Sequence, residues 1–328
     1  MTKAALIEHH GEPEVFSWRD VNVGPPGPGE ARVRHTVIGL NWADLRYREG
    51  GDSHYPVPSL PAVIGLEAAG VVEEVGKGVE IVAPGDRVVY GALPLGAYAE
   101  ARLIAADDLY RLPDSVSDEQ AGATYIKGLT AQYLAERAYP ISTGETVLVH
   151  AAAGGVGVLL CQIAKYRGAT VIGTAGGAEK VAYAAAHGCD HAIDYQAGDF
   201  ERAVADLLGD HAIDVVYDSV GLATFEKSLD LLRPRGMMVS FGHASGKVPP
   251  LDIVDLAHKG SLYLTRCTGR TYNTGRENFV AQADAFFELV AEGSIKAAIN
   301  QRYALSDAAQ AHHEMAARKT LGLSVLIP

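Results

Sequence analysis

The stretch Thr146-Val147-Leu148-Val149-His150-Ala151-Ala152-Ala153-Gly154-Gly155-Val156-Gly157 decides the fold. Its first five residues read as a buried strand, and the glycines lead into an apolar helical pattern that runs to about Arg167. Set against G-x-G-x-x-G, the three glycine positions hold Ala152, Gly154 and Gly157, so the first has become alanine. The second position lets the backbone approach a pyrophosphate, and the third lets helix and strand pack closely. The helix N-terminus adds free N–H groups and a positive dipole. A dinucleotide is therefore expected against Ala152, Gly154, Gly155, Val156 and Gly157. A plain tight turn would use the same glycines. What favours a site is the position of the motif, at the head of an alternating strand–helix series.

That series continues with strands at 170–174, 191–194, 213–218, 237–241 and 261–265, and with helices at 181–187 and 200–208. Six strands with crossover helices describe a doubly wound parallel α/β sheet, the Rossmann arrangement. Cofactor choice is read at the end of the second strand, in Gly173-Thr174-Ala175-Gly176-Gly177-Ala178-Glu179-Lys180. An NAD enzyme usually places a carboxylate there to hold the ribose hydroxyls. Here that position is Ala175, and Lys180 sits where it can pair with a 2′-phosphate, so NADPH is expected over NADH. The opposing features are Glu179, which faces solvent or favours NADH, and the possibility that Lys180 is a plain surface lysine.

Upstream, the pattern is different. Ala31 to Ile38 alternates in part, Val63-Ile64-Gly65 and Ala68 to Val75 are β-rich, and Pro84-Gly85-Asp86 leads into Arg87 to Tyr90. Strands this short and close suggest a partly closed β-domain. Ser117-Asp118-Glu119-Gln120 has capping-box spacing and opens a helix that Pro140 stops. After about Gly275 the chain returns to helices at 279–292 and 306–318 and a last strand, Leu323 to Ile327, expected to fold back onto the first domain.

At 328 residues two domains are the natural expectation, divided as 1–122, 123–268 and a return over 269–328. A net charge of −12 and the lack of a basic, aromatic-interleaved run argue against nucleic acid as a partner. No apolar run approaches a membrane span, and Glu8-His9-His10 ends the opening apolar segment too early for a secretory signal. Cys161, Cys189 and Cys267 form no disulfide framework, so a cytoplasmic protein without membrane insertion is expected.

The run Gly144-Glu145-x-x-Leu148-x-x-x-Ala152-Ala153-Gly154-Gly155-x-Gly157-x-x-x-x-Gln162-x-x-Lys165 resembles the quinone oxidoreductase (zeta-crystallin-like) signature of the medium-chain dehydrogenase/reductase superfamily. The likeness extends to Gly39 to Asp44, Gly65 to Gly70, Lys127 to Thr130, Tyr217 to Gly221 and the closing Leu326-Ile327-Pro328. It implies a GroES-like substrate domain built from both chain ends, a central Rossmann domain, a cleft between them and a homodimer. On that pattern Asn41 and Asp44 lie beside the nicotinamide, with Lys127 and Thr130 projecting from a helix. Gly173, Thr174, Lys180 and Tyr195 resemble adenosine-side contacts. Ser219, Phe241 and Gly242 fall in loops at the sheet edge, and Arg318 resembles a late arginine that reaches the cofactor. Tyr47 and Tyr55 either stack on or hydrogen-bond the acceptor, or simply pack.

Zinc-dependent relatives place a cysteine where Asn41 stands and a histidine where Leu66 precedes Glu67, and no cysteine precedes Cys161. A tetrahedral zinc site needs three such ligands, so no metal is expected. Without a Lewis acid for an alkoxide, the expected reaction is hydride delivery to a quinone, the catalytic set being Asn41, Asp44, Tyr47, Tyr55, Lys127 and Thr130. The alternatives are reduction of an activated C=C bond in an enone, enal or enoyl thioester, and a crystallin-like or RNA-associated protein that merely holds NADPH. One departure touches the acceptor. Close relatives carry tyrosine two residues after the aspartate of this segment, where this chain has Arg46, and the following loop, Glu49 to Tyr55, is longer and charged.

Overall fold

The computed structural model describes residues 2–52, 54–91 and 93–328. Its first stretch contains β1 (Thr2–Ile7), β2 (Phe16–Val21), β3 (Glu30–Gly39), α1 (Trp42–Glu49), β4 (Ala62–Val63) and β5 (Glu67–Val75). Strands β6 (Arg87–Gly91), β7 (Ala101–Ala105) and β8 (Tyr110–Arg111) follow, then helix α2 (Asp118–Tyr133). The central stretch runs β9 (Thr146–Val149), α3 (Gly155–Tyr166), β10 (Thr170–Ala175), α4 (Ala178–Ala186), β11 (His191–Asp194) and α5 (Phe200–Leu208). It continues with β12 (Ile213–Asp218), α6 (Phe225–Leu231), β13 (Leu232–Ser240), α7 (Ile253–His258), β14 (Tyr263–Arg266) and α8 (Gly269–Tyr272). Helix α9 (Arg276–Ala291), β15 (Ile299–Ala304), α10 (Ala308–Ala316) and β16 (Leu323–Ile327) complete the chain.

Two compact units result: Met1–Ile126 with Ala283–Ala291 and Ala297–Pro328, and Lys127–Gln282 with Glu292–Lys296. In the first, a sheet in the order β15-β16-β3-β5-β6-β8, with β7 also on β3, accompanies a small β2-β1-β4 sheet. Strand β3 shows why this sheet forms. Ala31, Val33, His35 and Val37 point inward at alternate positions, while Arg34 is exposed. The tail joins this unit by its own strand, since β16 pairs with β3.

The second unit holds a six-stranded sheet in the order β11-β10-β9-β12-β13-β14, every pairing parallel. This is the doubly wound order, with β9 at the switch point. Val147, Leu148 and Val149 are all fully buried, which is why the central strand reads as a continuous apolar run rather than an alternation. Ser117 and Gln120 form the expected capping box of α2, Gln120 N donating to Ser117 Oγ at 3.1 Å and Ser117 N to Gln120 Oε1 at 2.9 Å.

Several elements have no counterpart in the sequence reading. Segment 42–49, for which the sequence suggests no element, is helix α1. Strands β1, β2, β7, β8 and β15 and helices α6, α7 and α8 likewise have no counterpart there. Strand β15 alternates, but polar Asn300, Gln301 and Arg302 mask the pattern. Cys161 and Cys189, remote in sequence, bring their thiol sulfurs to 3.5 Å, both as free thiols. Among the described residues no helix is long and apolar enough to cross a membrane.

Three histidines are fully or almost fully buried, which fixes their protonation. His35 Nδ1 lies 2.6 Å from Ala99 O and must donate to it, so Nε2 accepts from the Tyr90 hydroxyl at 2.9 Å. His150 bonds Thr174 and Ser228 through its two nitrogens, at 2.9 and 2.8 Å. Burial pushes His35 down to about 4 and His312 down to about 3, and lowers His150 as well. The His35 and His312 imidazoles stay neutral when folded down to these values, whereas the unfolded chain takes up protons below its ordinary histidine pKa of about 6.5. Stability is therefore complete above that value and lost as pH falls through it toward the folded pKa, by about 2 kcal/mol at pH 5 for each fully titrating site. We expect the thermal midpoint to drop between pH 7 and pH 5 while ring-nitrogen NMR shifts of His35 and His312 remain those of neutral imidazole. A flat midpoint, or charged rings at pH 5, contradicts this.

Candidate active site

In the second unit Gly154 to Gly157, Tyr195, Ser219, Phe241 and Gly242 lie beyond the carboxyl ends of parallel strands, the side at which doubly wound sheets bind ligands. Ala151, just past β9, takes a left-handed φ of 54°. The chain then turns so tightly that a β-carbon on Gly157 would lie 2.2 Å from Ala151 O. Gly154 is the N-cap of α3 and supplies no side-chain cap, and no acidic residue sits in the first turn. The amides of Gly155, Val156 and Gly157 thus meet no capping side chain, a donor set that fits a pyrophosphate. Ala152 is fully buried, and a β-carbon on Gly173 would come within 2.7 Å of its methyl. The alanine in the first motif position is accommodated because strand β10 has no side chain opposite it.

Strand β10 ends at buried Ala175, in register with Asp194 of β11. The Gly176-Gly177 turn follows, and Lys180 stands in the first turn of α4. A β-carbon on Gly176 would lie 2.5 Å from Tyr195 Oη, so that hydroxyl sits directly over the turn. Asp194, which the sequence reading does not single out, accepts from Gly177 N and Gln196 N, both at 2.9 Å. Those backbone donors hold its carboxyl below the usual aspartate value. Thr174 differs from expectation: its side chain is buried and its hydroxyl meets His150, so it serves the sheet interior.

Ser219 follows β12, and Phe241 and Gly242 follow β13. The loops interlock, since Phe241 N donates to Asp218 O at 2.8 Å and a β-carbon on Gly242 would lie 2.5 Å from Ser219 O. Buried Asp218 shapes the first loop through Val220 N, Gly221 N and the Thr224 hydroxyl, at 2.7, 3.1 and 3.0 Å, while its Oδ2 has no hydrogen-bond partner. Lys127, buried, and Thr130, half-buried, are three apart on α2 and share a helix face.

In the first unit Asn41 caps α1, its backbone N–H donating to Asp44 Oδ2 at 2.8 Å. Its side-chain amide donates to Glu67 Oε2 at 3.1 Å. Gly39 makes this contact possible, because a β-carbon there would lie 2.3 Å from Glu67 Oε1. Asp44 Oδ2 also accepts from the Tyr98 hydroxyl at 3.2 Å, and that hydroxyl lies 2.9 Å from His312 Nε2. Burial first, and Asp44 second, push the Tyr98 phenol well above its usual pKa. A buried chain of polar groups thus runs from Glu67 through Asn41, Asp44 and Tyr98 to His312. The last of these lies on α10 beside His313. His313 is exposed and paired with Glu14 at 2.6 Å, but His312 belongs to the interior. No sequence signal links Tyr98 to a residue 214 positions away.

Tyr47 is buried in the core of this unit, and half-buried Tyr55 meets it edge-on at 5.6 Å. Packing is the role this geometry supports. Arg46 pairs with Glu49 at 2.7 Å and lies over the Trp42 ring at 5.2 Å. Within the charged segment Glu49 to Tyr55, Ser53 lies outside the described residues. Arg318 follows α10, exposed and with a left-handed φ of 57°. Among the described residues no group of three or more His, Cys, Asp or Glu is placed to hold a metal ion.

Residues 27–114 match the family model described as alcohol dehydrogenase GroES-like domain, and residues 155–299 the one described as zinc-binding dehydrogenase. A quinone oxidoreductase of Pseudomonas aeruginosa is 48% identical over 328 residues, covering 100% of both chains. A 2-haloacrylate reductase of a Burkholderia species is 42% identical over 331 residues, covering 100% of this chain and 99% of that one. The crystal structure of Escherichia coli quinone oxidoreductase complexed with NADPH superposes with a TM-score of 0.95 at 43% identity, covering 99% of this chain and 100% of that one. With these full-length likenesses and the doubly wound and GroES-like units already in place, the chain belongs to the quinone oxidoreductase family of the medium-chain dehydrogenase/reductase superfamily.

Proposed function

We propose that the protein is an NADPH-dependent quinone reductase. The observation that carries this reading is the uncapped helix N-terminus at 154–157 joined to a second strand ending in Ala175 rather than a carboxylate. It is supported by the NADPH complex of a 43% identical relative. Bound there, NADPH supplies a hydride from its nicotinamide. In this reading the amides of Gly155, Val156 and Gly157 hold the pyrophosphate, with Ala152 and Gly154 leaving room for it. Lys180 pairs with the 2′-phosphate, and Gly173 and Tyr195 flank the adenosine. Ser219, Phe241 and Gly242 border the cofactor at the carboxyl edge of the sheet. Asn41, Lys127 and Thr130 orient the nicotinamide end, Asp44 positions Asn41, and Arg318 contributes from the tail. Orientation is the main work of these residues, because a quinone delocalises the incoming charge and water protonates it. No side chain is assigned as a general acid.

The reading extends to a zinc-independent cytoplasmic homodimer. Asn41 and Leu66, standing where zinc-dependent relatives carry ligands, support the first part, and the family resemblance supports the rest. Loss of the charge-assisted contact at Lys180 costs about 1.5–3 kcal/mol, so Lys180→Ala should lower kcat/KM for NADPH by roughly 10- to 100-fold. The value for NADH should barely change; equal losses with both cofactors remove Lys180 from the site. Against 1,4-benzoquinone, 9,10-phenanthrenequinone, an alkenal and crotonyl-CoA, NADPH oxidation should be fastest with a quinone. Fastest turnover of the alkenal or the thioester would replace the quinone reading with C=C reduction.

A further inference from the structure

Cys161, buried on α3, and Cys189, in the turn between α4 and β11, are free thiols whose sulfurs stand 3.5 Å apart. Two close approaches bring them together. The Gly188 backbone is seated on that of Cys161, where a β-carbon would come within 3.0 Å of the Cys161 carbonyl. The Cys189 sulfur lies over Gly173 of β10, 2.4 Å from the place a β-carbon would take. Gly173 is also the residue whose missing side chain leaves room for the Ala152 methyl. The thiol pair therefore joins the middle of α3 to the strand against which the first residue of the glycine motif packs. Cys161 is fully buried, whereas Cys189 is 7% exposed and precedes exposed Asp190. The third cysteine, Cys267, instead faces the hydroxyls of Tyr272 and Thr265, at 3.7 and 3.8 Å.

We propose that Cys161 and Cys189 are a modification site, oxidised to a disulfide by a hydroperoxide, and that this disulfide weakens cofactor binding. The neighbouring Cys189 thiol first, and burial second, raise the Cys161 thiol well above its ordinary pKa, so Cys189, the more accessible of the two, reacts first. Its sulfur takes one peroxide oxygen: an S–O bond forms, the O–O bond breaks, and the thiol proton leaves with the departing hydroxide as water. The Cys161 sulfur then attacks the Cys189 sulfenic acid: the S–S bond forms, the S–O bond breaks, and the Cys161 proton leaves in a second water. Two thiols are thus oxidised by two electrons while one peroxide is reduced to water. A disulfide holds its sulfurs about 2.05 Å apart, so α3 and the Cys189 turn must close by about 1.5 Å. Gly157 leaves α3 no slack against β9, and its displacement carries the leading amides with it. The effect on the cofactor rests on the dinucleotide reading above; the disulfide itself does not. By linkage, bound NADPH protects the reduced pair by the same factor by which the disulfide weakens NADPH.

Treatment of the full chain with stoichiometric hydrogen peroxide, followed by thiol titration, peptide mapping and NADPH titration, tests the proposal. Two of the three thiols should disappear, the peptides carrying Cys161 and Cys189 should be joined, and dithiothreitol should restore both. The NADPH dissociation constant should rise at least about threefold on oxidation and return on reduction. Cys189→Ser should bind NADPH as the reduced wild type does and no longer respond to peroxide; should it fail to fold, Cys161→Ser takes its place. Absence of the joined peptides overturns the site. Joined peptides with an unchanged NADPH dissociation constant overturn its coupling to the cofactor. Failure of the reduced protein to bind NADPH overturns the cofactor reading, and with it the coupling, while the joined peptides alone decide the site.

Discussion

The candidate cofactor site depends on one close approach, the first turn of α3 seated on the end of β9 with no side chain at Gly157 to hold them apart. A β-carbon there would lie 2.2 Å from Ala151 O and 3.0 Å from Ala152 Cα, both backbone atoms that cannot swing aside. Closeness at this point sends the helix away from the strand at once and leaves its leading amides uncapped. The neighbouring choices follow from it. Ala151 takes the left-handed φ, and Ala152 buries its methyl in the space that Gly173 leaves on β10. An alanine in the first motif position is therefore not a degenerate glycine but one half of a pair with Gly173.

The first unit solves a different problem, that of keeping an amide side chain fixed in the interior. Asn41 is held from both sides, by Asp44 at its backbone and Glu67 at its side chain, and Gly39 opens the space in which Glu67 fits. Tyr98 and His312 extend the support on the far side of Asp44. A neutral His312 suits this chain. If its Nε2 donates to the Tyr98 oxygen, the Tyr98 hydroxyl is free to donate to Asp44, and both donors then point toward the Asp44 carboxylate. In this arrangement Tyr98 and His312 act through Asp44 on the orientation of Asn41.

Local chemistry was legible in the sequence; long-range pairing was not. The buried apolar run of β9, the glycine turn, the capping box at Ser117 and the closing strand all follow from residues within a few positions of one another. Helix α1 was missed although its signals are present: Asn41 and Asp44 have capping spacing, and Gly50 ends the helix with φ 109°. Charged Arg46, Arg48 and Glu49 obscure its short buried face, so it reads as loop. The first unit is completed inside helices α2 and α9, at Ile126 and Ala283, and helical periodicity carries no mark of such a division. The environment of His312 depends on segments brought together from opposite ends of the chain, which no local window contains.

The most direct test of the account is the affinity of NADPH for Gly157→Ala, measured by titration on protein shown to be folded by circular dichroism. The dissociation constant should rise at least tenfold, about 1.4 kcal/mol or more, because α3 must move off β9 and carry its amides with it. An unchanged dissociation constant in a folded variant would contradict it, and would mean that the close seating of α3 on β9 does not hold the cofactor.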